Sequence, residues 1–422
     1  MTASKVAPRG PRVALVHDFL SQLGGAERVV LELSRLFPDA PIFTSFYRPE
    51  VTFEEFSTRQ VVPSYLQKVV PASGFRRYAL LYPGALARFD LDDFDLVIAS
   101  SSAFGHRVRH PNCHVYCHTP PRFLYQPASY AHRRWQHRLL DAATGPLRRA
   151  DRASARSKAS YAANSQLTRL RVRDAYGIES RVIHPPLAVA SSAAPLQPLP
   201  DRPSLLMVAR LLPYKRVDLA IEVANATGLP LTVVGDGPER ARLAAMAGPG
   251  VRLLGRVPDD EMAELFAAAS LVLVPGAEDF GYGPVEAHWF GRPVVASAAG
   301  GALETVAHGE DGLLVADADP RSWTEAVTAA LEREWTPSAL RAAAAPFTPS
   351  RFKEAVADWL GLTGGRSGPG APLASGGDDR DAGEAVPELA HHPVDRRLAV
   401  GVHASSAVHE EGHRRQDLEG GW

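Results

Sequence analysis

Cysteine is nearly absent: the 422-residue chain has two, Cys113 and Cys117. Both fall in one short apolar segment that reads as a strand, so no disulfide framework is available and a reducing, cytoplasmic setting is expected. A basic excess is missing too. With 46 Lys and Arg against 47 Asp and Glu, net charge −1, the chain has no electrostatic footprint for nucleic acid. No run reaches the roughly 20 apolar residues of a membrane span, and residues 1–12 lack the apolar core of a signal peptide. Any membrane contact is therefore expected to be peripheral. The three-glycine dinucleotide fingerprint is absent. His391, His392, His403, His409 and His413 lack the tight spacing of metal ligands, so no metal is expected.

What is present is the composition of a globular protein, 45% hydrophobic and 22% charged. The length exceeds one ordinary core. The expected division is an N-terminal domain over 1–188, a Pro/Ser/Ala-rich linker over 189–203, a C-terminal domain over 204–363 and a disordered Gly/Pro/Asp/Ser/His tail over 364–422. In the first domain, strands are expected at 13–17, 41–45, 95–100, 113–117 and 161–163, with helices over 26–37 and, after a Ser165 cap, 166–176. In the second, strands at 204–209, 231–234, 251–254, 271–274 and 293–297 alternate with helices near 217–226, 238–246 and 259–269, and two more helices follow near 321–332 and 350–360. That order predicts an α/β fold of two Rossmann-like doubly wound parallel sheets facing across a cleft.

Candidate chemistry gathers at strand carboxyl ends, where open α/β sheets bind ligands. The stretch Pro275-Gly276-Ala277-Glu278-Asp279-Phe280-Gly281-Tyr282-Gly283-Pro284-Val285-Glu286-Ala287 follows an apolar strand and opens a helix. Two glutamates eight apart mean little among 47 acidic residues. Around a glycine turn and a helix start, they suit a polyhydroxyl ligand carrying phosphate. Arg210 and Lys215 leave the end of the 204–209 strand together, as two cations meeting a diphosphate would. Gly24 and Gly25 form a strand–loop–helix turn open to a pyrophosphate or to a plain tight turn. Gly235-Asp236-Gly237-Pro238 and Gly300-Gly301-Ala302-Leu303-Glu304-Thr305 repeat the pattern, and His118 leaves a strand before a rigid Pro-Pro turn.

Over residues 11–362 the chain resembles the retaining nucleotide-sugar glycosyltransferases of the large family four, which have the two-Rossmann GT-B architecture. The carriers are Gly24-Gly25-Ala26-Glu27, His118-Thr119-Pro120, Asn164-Ser165, Arg210 with Lys215, Gly235-Asp236-Gly237-Pro238, and Glu278-Asp279-Phe280-Gly281 with Glu286-Ala287. The resemblance implies that Arg210 and Lys215 bind the donor diphosphate, Gly25 approaches it, and Glu286 holds the ribose hydroxyls. It implies that Glu278 and the N–H groups around Phe280 and Gly281 hold the sugar, with His118 near the reacting carbon and Val257 at the nucleobase. It also implies a same-face retaining reaction in which the leaving phosphate takes the acceptor proton, with no metal and no cofactor beyond the nucleotide sugar.

His17-Asp18-Phe19-Leu20 before the Gly-Gly turn resembles mannosyltransferases of surface-polysaccharide assembly, which implies GDP-mannose as donor and a glycan or lipid-linked acceptor. Tyr282-Gly283-Pro284 and His288-Trp289-Phe290 depart from the residues usual there. Arginines interleaved with aromatics and leucines over 74–88 and 130–160 fit either a solvated helix face or docking on an anionic membrane, at the cytoplasmic face. Two other readings share the architecture: a nucleotide-sugar epimerase, and a non-catalytic two-lobed sugar-binding protein.

Overall fold

The computed structural model describes residues 10–71, 78, 80–126, 134–187 and 195–362. Two parallel sheets dominate. The first is formed by β1 (Val13–His17), β2 (Ile42–Thr44), β3 (Val61–Pro63), β4 (Leu96–Ser101), β5 (Cys113–Cys117), β6 (Ser160–Ala163) and β7 (Arg181–Val182), in the order β3-β2-β1-β4-β5-β6-β7. The second is formed by β8 (Leu205–Val208), β9 (Leu231–Val234), β10 (Val251–Gly255), β11 (Leu271–Val274), β12 (Val294–Ser297) and β13 (Gly312–Val315), in the order β10-β9-β8-β11-β12-β13. Each is a doubly wound sheet whose strand order reverses once, between β1 and β4 and between β8 and β11. A crevice opens at that reversal, beyond the strand carboxyl ends.

The central strands are buried on both faces and alternate side by side. Ala14, Val16, Val97, Ala99, Cys113, Val115 and Cys117 pack on one face, with Tyr161 and Tyr176. Leu15, Leu96, Ile98 and Tyr116 pack on the other, with Val29, Val30 and Leu33 of the helix Gly25–Leu36. That helix places its apolar residues at helical spacing and so covers the sheet with one face. The second sheet is packed likewise, Leu205, Met207, Leu231, Leu273 and Val295 on one face, and Leu206, Val234, Val272 and Ala296 on the other. Each fully buried aliphatic contributes about 1.5–3 kcal/mol.

Both cysteines lie in β5, buried and unpaired with one another. Ser165 caps the helix Gln166–Tyr176 as its sequence suggests, its hydroxyl accepting from Thr168 N. The strands β3, β7 and β13 are additions to the expected set. The helix Pro349–Trp359 returns to the first sheet, where Phe352 and Val356 join the cluster around Leu15. The described residues of both lobes, up to Leu360, cluster as one compact unit. Residues 188–194 of the linker and 363–422 of the tail lie outside the described residues, as do Arg76, Arg77 and Arg133 of the basic stretches.

His288 is sealed under the helix Tyr282–Trp289, 1% exposed, its Nε2 donating to the Asp311 carbonyl at 3.0 Å. Burial holds its pKa down at about 4. As pH falls below the ordinary value of 6.5, the unfolded chain takes up a proton that folded His288 refuses, so its contribution is lost between pH 6.5 and 4. The loss should reach on the order of 3 kcal/mol. Asp311 opposes this: burial raises its pKa to about 6, so it gains a proton in the fold over part of the same range. Urea unfolding at pH 7 and pH 5 should show a smaller acid loss in His288→Gln than in the wild type. Equal losses would remove His288 from the acid response.

Candidate functional site

The site is assembled from the loops that follow β1, β4, β5, β8 and β11, all at strand carboxyl ends. On the second lobe, β8 runs into Arg210 and a short 3-10 turn at Pro213–Lys215. Gly276, just past β11, lets that turn approach: a Cβ there would lie 2.7 Å from Lys215 Cα. The approach brings Lys215 Nζ to 2.6 Å from Glu278 Oε2, with the side chains 12% and 27% exposed. Lys215 and Glu278 are 63 positions apart by number yet form one ion pair.

Gly281 follows with φ +77°, a conformation that disfavours residues with a Cβ, and it caps the helix Tyr282–Trp289. Phe280 is buried against His184, Tyr282 and Phe347. The backbone N–H groups of Phe280 and Gly281 donate to no described backbone acceptor. Helix-start N–H groups without a partner among the described residues favour an anion nearby. Glu286 lies one turn along the same helix, partly buried. Gly235 ends β9, its N–H donating to Gly255 O at 2.7 Å. Val257 follows β10 and packs against the core cluster that includes Val234 and Met262.

The first lobe meets this surface directly. Tyr282 donates from its hydroxyl to the Gly25 carbonyl at 3.1 Å, and its ring lies where a Cβ on Gly25 would be, 2.4 Å away. Arg210 Nη1 donates to Gln22 Oε1 at 3.2 Å, just ahead of Gly24. Asp279 accepts from Arg122 at 2.5 Å and from Arg171, both on the first lobe. Burial pushes the Asp279 pKa up, but the two arginines outweigh it and hold the carboxyl below its ordinary value. Glu304 accepts from Gln166 N at 2.8 Å, Leu167 N at 3.2 Å and His184 Nε2 at 3.1 Å. It thereby satisfies, from the other lobe, N–H groups that the Ser165 cap leaves over.

His118 is 8% exposed at the end of β5, its Nε2 2.8 Å from Ser100 Oγ. Burial first, and then the His17 charge, hold its pKa down at about 3. Ser100 in turn meets His17, and His17 Nε2 lies 3.9 Å from Glu27 Oε1. Asp18, the residue after His17, accepts from four consecutive amides, Ser102, Ala103, Phe104 and Gly105, at 2.5–3.0 Å. This clamps the β1 loop to the β4 loop across the sheet's reversal point.

Of the residues singled out from sequence, Gly24, Gly25, Arg210, Lys215, Glu278, Phe280, Gly281 and the helix bearing Glu286 converge on the facing strand ends. Gly235 and Val257 flank them on β9 and β10. Asp279, Arg122, Arg171, Glu304, Ser100 and Glu27 acquire site roles only through pairings between distant parts of the chain. Local signals existed for three: Asp279 and Glu304 stand in glycine-turn motifs at strand ends, and Glu27 stands three residues after Gly24, where a first-turn carboxylate belongs.

Residues 193–346 match the family described as glycosyl transferases group 1. The matched stretch takes in most of the second lobe, β8 to β13. A D-inositol 3-phosphate glycosyltransferase of a Nocardioides species is 44% identical over 90 residues, 21% of this chain and 20% of that protein. The D-rhamnosyltransferase WbpZ of Pseudomonas aeruginosa is 29% identical over 130 residues, 29% of this chain and 34% of that protein. The chain thus spans about a fifth to a third of these curated relatives. Among solved structures, Anabaena HepE in complex with UDP and glucose aligns with TM-score 0.63 at 20% identity, covering 84% of this chain and all of that one. Sucrose-phosphate synthase from Thermosynechococcus elongatus aligns at 0.62 and 18% identity, covering 83% and 98%. These likenesses show the fold, the two-lobed GT-B architecture.

Proposed function

We propose that the protein is a retaining glycosyltransferase that moves a hexose from a nucleotide-sugar donor to a glycan or lipid-linked acceptor. The observation that carries this reading is the convergence, at one helix start, of Lys215, Glu278 and the N–H groups of Phe280 and Gly281, which have no acceptor among the described residues. It supplies a cation and oriented donors for a diphosphate, with a carboxylate beside them for sugar hydroxyls. Arg210 adds a second cation on the same side. In this reading Glu286 takes the ribose, Val257 the nucleobase and His118 the sugar near its reacting carbon. The leaving phosphate, held by Arg210 and Lys215, takes the acceptor proton.

Mannose from GDP-mannose is the donor we put forward, on the resemblance carried by His17-Asp18-Phe19-Leu20 and Glu278-Asp279-Phe280-Gly281. The match to a rhamnosyltransferase is compatible, since D-rhamnose is the 6-deoxy form of mannose. The test is incubation of the purified protein with GDP- and UDP-hexoses, following release of nucleoside diphosphate and transfer to an added acceptor. Release from GDP-mannose, unchanged by excess chelator, is expected, because protein cations and helix N–H groups do the charge stabilisation. Release only from UDP-hexoses would replace the donor. Loss with chelator that magnesium restores would replace the charge assignment. Conversion of the nucleotide sugar without any acceptor would make the protein an epimerase.

Peripheral contact with an anionic membrane belongs to the same proposal. No helix among the described residues is long and apolar enough to cross a membrane. The first lobe does expose Leu80, Leu81 and Leu147, the last beside Arg148 and Arg149. Each arginine near an anionic leaflet contributes about 1 kcal/mol, weakened by salt. Sedimentation with anionic vesicles should therefore exceed that with neutral ones, and should fall in high salt and in Leu80→Ser/Leu81→Ser. Equal sedimentation with both lipids would remove the membrane from the proposal.

A further inference from the structure

The buried polar chain beneath the cleft runs Glu27, His17, Ser100, His118, and its hydrogen positions can be worked out from one end. His17 Nδ1 lies 3.1 Å from the Ser100 carbonyl oxygen. A carbonyl only accepts, so this nitrogen carries a hydrogen. The same nitrogen lies 3.1 Å from Ser100 Oγ. A hydroxyl facing an N–H cannot direct its own hydrogen there. Ser100 Oγ is also 2.8 Å from His118 Nε2, and its hydrogen is left to point that way. Were Nε2 to carry a hydrogen as well, the buried hydroxyl would accept twice and its own hydrogen would have no described acceptor, so Nε2 is assigned as bare.

We propose that Ser100 and His17 hold His118 as the neutral tautomer with its hydrogen on Nδ1, which makes it a fixed hydrogen-bond donor to a sugar hydroxyl in the cleft and not a base. The sugar rests on the function proposed above; the tautomer rests on the protein alone. Neutrality follows from the surroundings: burial and the neighbouring His17 keep His118 unprotonated down to about pH 3, with Asp279 acting the other way. No described residue hydrogen-bonds to Nδ1, and His118 keeps 8% of its surface open. The ring is braced from behind by Tyr116, centroids 5.2 Å apart, and its carbonyl accepts from Thr168 Oγ1 at 3.0 Å.

Glu27 explains why the chain stays charged. Both its carboxylate oxygens are sealed and without a hydrogen-bond partner, and the residue is 1% exposed. A carboxylate so placed needs a neutralising charge. His17 supplies it: burial pushes its pKa down, but Glu27 and Asp18 outweigh this and raise it above the ordinary value. His17 is faced by Glu27 from the helix Gly25–Leu36, by Asp18 beside it, by Ser100 from β4 and by His118 after β5. An imidazolium there donates from Nδ1 to Ser100 and sets Nε2 against Glu27 as an ion pair at 3.9 Å. Ser100 and His17 are therefore positioning residues that act through His118.

Long-range proton–nitrogen correlation spectra of the ¹⁵N-labelled full chain at pH 7 test this, because they separate protonated from bare ring nitrogens. His118→Gln and His17→Gln assign the two signals among the 15 histidines. The expected pattern is His118 protonated on Nδ1 and bare on Nε2, and His17 protonated on both. Ser100→Thr should preserve it. Ser100→Ala should release His118 toward the Nε2–H form that free imidazole side chains prefer. A wild-type His118 protonated on Nε2 overturns the proposal, as does an unchanged pattern in folded Ser100→Ala. Should that variant not fold, the wild-type and Ser100→Thr spectra still decide. No substrate enters the measurement, so an inactive protein with the expected spectrum would sink the transferase reading and leave the tautomer standing.

Discussion

Replacing Lys215 with alanine should lower kcat/KM for the donor by roughly 30- to 1,000-fold, equivalent to about 2–4 kcal/mol of transition-state stabilisation. The effect should exceed the loss of a single cation at an exposed site. Lys215 is 2.6 Å from Glu278 and largely buried. Its removal therefore deletes a positive charge and also leaves a carboxylate unpaired beside the incoming diphosphate. Lys215→Arg should recover part of the loss, because a guanidinium can meet both phosphate and carboxylate. Glu278→Gln separates the two effects. If Glu278 chiefly holds Lys215, that variant should bind donor nearly as well as wild type. If it holds the sugar, kcat should fall while nucleoside diphosphate still binds. Near-normal turnover of Lys215→Ala at both saturating and subsaturating donor would remove the cation from the mechanism.

The second large effect is expected at Asp279, which does no chemistry in the proposed reaction. Its carboxylate joins the lobes by accepting from Arg122 and Arg171, with only 15% of the side chain exposed. Asp279→Ala leaves two guanidinium groups facing each other without the charge that gathered them. Breaking a fully buried pair costs about 3–5 kcal/mol; with Arg122 and Arg171 41% and 24% exposed, the loss of both pairs is expected to cost about 2–3 kcal/mol. Here the cost falls on the closed arrangement of the lobes, because each lobe keeps its own core. The expected result is a drop in kcat/KM of about 100-fold, with a larger radius of gyration in solution scattering and little change in the unfolding of either lobe. Asp279→Asn should fall between, since the amide oxygen still accepts. A variant with unaltered scattering and turnover would show that the lobes close without this contact. Glu304, which caps the Gln166 helix from the opposite lobe, and the Tyr282–Gly25 hydrogen bond give closure a second and third fastening.

Much of the fold can be read from the amino-acid order because a strand buried on both faces must be apolar along its length. Val13–His17, Leu271–Val274 and Val294–Ser297 are such runs, and each is found where its pattern puts it. The strands that escape the pattern are edge or near-edge pieces. Val61–Pro63 is three half-buried residues, Arg181–Val182 is one exposed and one half-buried, and Gly312–Val315 is partly open. They exist because a neighbour offers its hydrogen-bonding edge, and pairing of that kind leaves little mark on composition. The Ser165 cap is legible for the opposite reason: hydroxyl and amide are three residues apart, so the local chain suffices.

The candidate site divides along the same line. Glycine turns and charged residues at strand ends are local features, so Gly24, Gly25, Arg210, Lys215, Gly281 and Glu286 stand out before any coordinates. What those charges face is another matter. A net charge of −1 says nothing about which carboxylate meets which cation. The lobes bring Asp279 to Arg122 and Arg171, 157 and 108 residues away, and Glu304 to Gln166, 138 away. Ser100 looks like any strand-end serine until the register of β1 with β4 and of β4 with β5 sets it between His17 and His118. Such contacts depend on how two sheets and two lobes are laid against each other. That arrangement is a property of whole packed surfaces, and no stretch of the chain carries it alone.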